Sequence, residues 1–129
     1  MRYTNKYKHI IEEKYNTYQE DERFNRKSQS FEFRTTMHYI QKYLKKGSKV
    51  LEIGAGTGRY SIALAKMDYD VTAVELVESN LKVLRENSKG IANLKSYQGD
   101  ALNLQFGDNS FDMVLCLGPM YHLFNNKDK

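Results

Sequence analysis

The chain has 129 residues, of which 40% are hydrophobic and 28% charged, with a formal charge of +4 at pH 7 and a single cysteine. That length suits one domain with a buried core, and the composition excludes the disordered and fibrous classes. No run approaches the ~18 apolar residues of a membrane span, and the N-terminus lacks the apolar core of a secretory signal. A lone Cys116 makes no internal disulfide, so a cytoplasmic protein with a reduced, core-facing thiol is expected, a reactive thiol being the alternative.

The charge is unevenly spread. Residues 1–49 hold 12 Lys/Arg against 6 Asp/Glu, and residues 50–129 hold 8 against 10. A basic front half can mark an acidic partner or nucleic acid. Its signs alternate without a dense block, which fits a solvated helical surface better.

In chain order, residues 1–47 read as a Tyr-rich helical segment, with the polar stretch "EDERFNRKSQS" as a connection between two helices. In "TTMHYIQKYLKKG", Met37, Ile40, Tyr43 and Leu44 share one helical face, and Lys45, Lys46 and Gly47 supply a basic last turn and a stop. From residue 48 the texture changes. "KVLEI" reads as a strand, Gly54–Gly58 as a turn, and "RYSIALAKM" as a helix carrying Tyr60, Ala63, Leu64 and Met67 on one stripe. "YDVTAVEL" is a second strand, and "VESNLKVLRENS" a helix with Val77, Leu81 and Leu84 aligned, ended by Gly90. "NLKSYQ" is a weaker third strand and "SFDMVLCLG" a strong fourth. Strands alternating with helices, the strong ones apolar on both faces, predict an α/β fold with a parallel sheet covered by helices.

In such a sheet, ligands bind beyond the carboxyl ends of the strands, where strand order reverses. "LEIGAGTGRYS" lies there, with three glycines in five positions. Glycine accepts positive φ and lets a ligand touch the main chain, and the following helix offers free N–H groups. A phosphate loop requires Lys-Ser/Thr after the glycines, which is absent. The dinucleotide fingerprint G-x-G-x-x-G requires glycine where Arg59 stands. Glu52, beside the loop, would repel a pyrophosphate and suit a ligand bearing an ammonium group.

"VLEIGAGTG" resembles motif I of the class I S-adenosylmethionine-dependent methyltransferases, which have a Rossmann-like fold, and the resemblance runs from about residue 34 to residue 124. It implies that S-adenosyl-L-methionine is the cofactor. Glu52, Gly54, Ala55, Gly56 and Gly58 would then hold its methionyl part. Glu75 would accept from both ribose hydroxyls, and Leu76 would pack on adenine. "GDALNLQF" is similar to motif III, where Asp100 takes the adenine amino group and Ala101 offers its backbone N–H. "FDMVLCLGPMYHL" is similar to motif IV, whose end at Leu117 faces the sulfonium. Similar enzymes use N-terminal segments as lids, which assigns residues 1–47 a cap role, with Tyr18 over the cofactor. Residues 48–129 form the cofactor-binding, Rossmann-like half.

His122, just past strand four, is the candidate base for a hydroxyl or thiol acceptor; packing or exposure at a helix start is the alternative. Leu117-Gly118-Pro119-Met120 lacks the polar Asn/Asp-Pro-Pro-Tyr/Phe tetrapeptide of enzymes that methylate exocyclic amino groups. A small-molecule acceptor is therefore expected, with RNA or protein as the alternative through the basic front half. No His/Cys/carboxylate cluster has ligand spacing, so no metal is assigned. The chain ends soon after strand four, which leaves an apolar strand edge: either a piece of a longer enzyme or a homodimer covering that edge is expected. A non-catalytic cofactor-binding module and an NAD-type Rossmann oxidoreductase domain stay open as alternative functions.

Overall fold

The structure is a computed structural model that describes residues 27–117. Helix α1 runs Lys27–Tyr43, strand β1 Lys49–Ile53, helix α2 Arg59–Lys66, strand β2 Asp70–Glu75, helix α3 Glu78–Asn87, strand β3 Leu94–Gln98 and strand β4 Met113–Leu115. The strands form a parallel sheet in the order β3-β2-β1-β4. β1 and β2 are the central pair and are buried along nearly their whole length, as strands covered on both faces must be. β3 and β4, each paired on one side among the described residues, are half-exposed.

Side-chain alternation sorts the sheet into two faces. One carries Val50, Val71 and Leu115, which pack with Met37 and Ile40 of α1 and with Tyr60, Leu64 and Ala65 of α2. Ala73 on the same face meets Leu81 and Leu84 of α3. The opposite face, with Leu51, Ile53 and Val74, is covered by Ala101, Leu104 and Phe111 from the segment between β3 and β4. Among the described residues, then, the helices lie on one side and an irregular segment caps the other.

Three expectations are corrected. The last four residues of the expected connection, Lys27 to Ser30, belong to α1, which starts at Lys27. Tyr43 does not join the apolar face; it is 69% exposed, because the helix ends there and the chain turns through Gly47. The fourth strand is short, and its Cys116 is exposed rather than core-facing. Partial desolvation still pushes that thiol's pKa up, away from the thiolate.

Asn93 ties three elements together. Its Nδ2 donates to the carbonyls of Ala65 and Tyr69 at 2.6 and 2.7 Å, and its own carbonyl accepts from Val71 N–H at 2.9 Å. No helix among the described residues is long and apolar enough to cross a membrane.

Candidate functional site

β1 lies between β2 and β4, so the crevice where strand order reverses opens at its carboxyl end. There Gly54, Gly56 and Gly58 all have positive φ, at 73°, 60° and 97°. Gly54 and Ala55 donate their N–H groups to Val74 O at 2.8 and 3.1 Å, fastening the loop to the tip of β2. Gly54 is exposed, which leaves its bare main chain open to a ligand. Gly58 serves another end. A Cβ there would lie 2.1 Å from Leu84 Cδ1, so its bareness lets α2 start against α3.

Glu75 ends β2 with its carboxylate 5% exposed. Its Oε1 accepts from Gly56 N–H at 3.4 Å, and its Oε2 accepts from Asn80 Nδ2 at 3.5 Å. The acid at the end of β2 is thus brought to the middle glycine of the loop.

Glu52, one residue before the end of β1, lies under the loop at 3% exposure. Its Oε1 accepts from Ser61 Oγ at 2.6 Å, and the Ser61 N–H also donates to this carboxylate. Ser61 is the third residue of α2, whose N-cap Gly58 has no side chain to offer. A strand carboxylate therefore does the work of the missing cap. Burial dominates its electrostatics and raises the pKa from 4.5 to about 8, Glu75 adding a smaller push. At neutral pH Glu52 is largely protonated, so the charge match to an ammonium group is not expressed in this conformation.

Leu76 is half-buried, and its carbonyl accepts from Gln98 Nε2 at 3.2 Å, which aligns the tips of β2 and β3. Asp100 forms a side-chain turn, its Oδ1 accepting from Leu102 N–H at 3.0 Å, beside half-buried Ala101. Leu117, past the end of β4, is 47% exposed. The turn closed by half-buried Asp100 is thus a local role in this conformation. Tyr18 and His122 lie outside the described residues. Among the described residues, no group of three or more His, Cys, Asp or Glu is placed to hold a metal ion.

Two residues went unmarked in the sequence, Ser61 and Asn80. Both are polar side chains on otherwise apolar helical stripes, Ser61 beside Tyr60, Leu64 and Ala65, and Asn80 with Val77, Leu81 and Leu84. A polar residue on a buried stripe needs a partner, and that signal was available.

Residues 50–129 match a family model described as Methyltransferase domain. The demethylmenaquinone methyltransferase of Staphylococcus carnosus is 42% identical over 74 residues, 55% of this chain and 31% of that protein. The same enzyme of Staphylococcus aureus strain JH9 is 40% identical over an equal span. The chain spans about a third of the length of these curated relatives. Among solved structures, the PH0226 protein of Pyrococcus horikoshii aligns with a TM-score of 0.62 at 32% identity, over 70% of this chain and 43% of that one. Phosphoethanolamine N-methyltransferase 1 of Haemonchus contortus, in complex with phosphoethanolamine and S-adenosylhomocysteine, aligns at 0.54 and 30% identity, over 60% of this chain and 17% of that one. The family match takes in the glycine loop, Glu75 and every strand of the sheet, and so this chain belongs to the methyltransferase domain family.

Proposed function

We propose that this chain carries the cofactor site of an S-adenosylmethionine-dependent methyltransferase that acts on a small molecule in the cytoplasm. The observation that carries the reading is the buried Glu75 side chain, held against the Gly56 amide near the exposed bare main chain of Gly54. A carboxylate at that place suits a ligand that donates hydroxyls, so the residues fit a nucleoside cofactor. The relatives named for demethylmenaquinone and phosphoethanolamine support a small acceptor.

In this reading Glu75 binds the ribose, while Leu76, Asp100 and Ala101 border the base. Glu52 and Ser61 hold the floor of the glycine loop from below. When bound, the cofactor supplies a methyl group already activated by its positively charged sulfur. The chain's own task is then to bind, align and exclude water, with no nucleophile and base triad. Residues 1–47 act as a cap that carries Tyr18, and His122 accepts the proton of a hydroxyl or thiol acceptor.

Titration calorimetry with S-adenosylmethionine, S-adenosylhomocysteine and NAD tests the cofactor. Binding of the first two without the third is expected; binding of NAD alone overturns the reading. For His122→Ala, kcat/KM falls about a hundredfold if the imidazole is the base. Unchanged turnover dismisses that role and leaves the cofactor site standing.

A further inference from the structure

Helix α3 begins with Val77 at its N-cap in extended backbone, with no side-chain cap. Three positions later stands Asn80, 6% exposed, on the face that Leu81 and Leu84 turn into the core. An aliphatic residue there would complete the stripe. A buried side-chain amide instead carries a desolvation cost that only its hydrogen bonds offset. The partner it finds is Glu75: Asn80 Nδ2 donates to Oε2, while Gly56 N–H donates to Oε1. The carboxylate is therefore held by a helix through one oxygen and by the glycine loop through the other.

That grip fixes the plane of the carboxyl group. A carboxylate accepts along about four lone-pair directions, so the two oxygens can serve a pair of ligand hydroxyls together with these donors. At 3.5 and 3.4 Å both contacts lie at the long end of the hydrogen-bond range. Asn80 is buried on α3, so its amide has few places to turn other than the Glu75 carboxylate. We propose that Asn80 is a positioning residue that orients the Glu75 carboxylate towards a vicinal diol and so sets the selectivity for the ribose hydroxyls. It acts through Glu75 and not on the ligand, and the inference rests on the cofactor reading above.

The test compares dissociation constants for S-adenosylhomocysteine and the same compound with a 2′,3′-dideoxyribose, in wild type, Asn80→Ala and Asn80→Asp. Wild type is expected to favour the diol strongly. Asn80→Ala should lose about tenfold in affinity for S-adenosylhomocysteine, with little change for the dideoxy compound, so the ratio falls about tenfold. Asn80→Asp keeps the side-chain volume while replacing the donor by a carboxylate, and its ratio should fall at least as far. A merely structural role would weaken both ligands equally, so an unchanged ratio in either variant overturns the inference. If wild type binds S-adenosylhomocysteine and the ratio holds, only the role of Asn80 is lost. If wild type binds neither compound, the cofactor reading fails and the inference with it.

Discussion

Replacing Glu52 by Gln removes an ionisation that costs stability as the pH rises. Burial lifts this carboxyl from 4.5 to about 8, against the opposing pull of the two Ser61 hydrogen bonds. Because the folded pKa lies above the unfolded one, the folded chain keeps a proton that the unfolded chain has already released between those values. The stability linked to this group is therefore complete below pH 4.5 and is lost as the pH climbs through about 8. At about 1.36 kcal/mol per pKa unit the whole span amounts to about 5 kcal/mol, most of it lost by neutral pH. The amide of Glu52→Gln keeps the shape and the oxygen that accepts from Ser61, but has no charge to bury. Urea unfolding of both proteins from about pH 5 to about pH 9 measures the difference. The variant's advantage should grow steadily across that range and level off near its top, approaching about 5 kcal/mol. An offset that stays constant with pH refutes the assignment of a buried, proton-holding Glu52.

Gly58→Ala places a methyl group on a left-handed backbone and against Leu84, and should cost about 2–4 kcal/mol by thermal unfolding. Leu84→Ala alone should cost about 2–5 kcal/mol, and the double variant less than the two together, since the shortened side chain clears the space. Additive losses would show that the contact is not the reason for the glycine. Glu75→Gln should weaken S-adenosylhomocysteine by about 1.5–3 kcal/mol in calorimetry and also lower the melting midpoint, because its amide NH2 replaces an oxygen that accepts from Gly56 or Asn80. Val114, 54% exposed on β4, which has a neighbour on one side among the described residues, probes self-association: Val114→Lys should change stability by no more than about 0.5 kcal/mol and lower any dimer fraction seen in sedimentation.

The central parts of the fold could be read in the sequence because their burial is two-sided. β1 and β2 are apolar on successive positions, the helices carry 3.6-residue stripes, and Gly54–Gly58 sits where a parallel sheet needs a tight exit. The place of Glu75 was also legible, since it closes the run "DVTAVE" that forms β2. The edges were harder. Cys116 follows an apolar run that looks buried, yet β4 has a neighbour on one side only among the described residues, so the run ends in the open. Glu52 appeared to be a charge offered to a ligand. Only the fold shows that it lies beneath the loop and bonds to a serine nine positions further on. Gly58 belonged to the motif by spacing, and its contact with Leu84 depends on how α2 and α3 meet, which no local pattern encodes.

Asn93 has a consequence for the way the molecule opens. β3 buries little of itself, and a strand of that kind would ordinarily peel away on its own. Through a single side chain, however, its entrance is latched to the end of α2 and, through the main chain, to the start of β2. Fraying at the head of β3 breaks its bonds to the other two. Amide exchange in the segment that joins α2 to β2 should therefore follow the same opening event as exchange at the head of β3, making one cooperative unit of pieces that are distant along the chain.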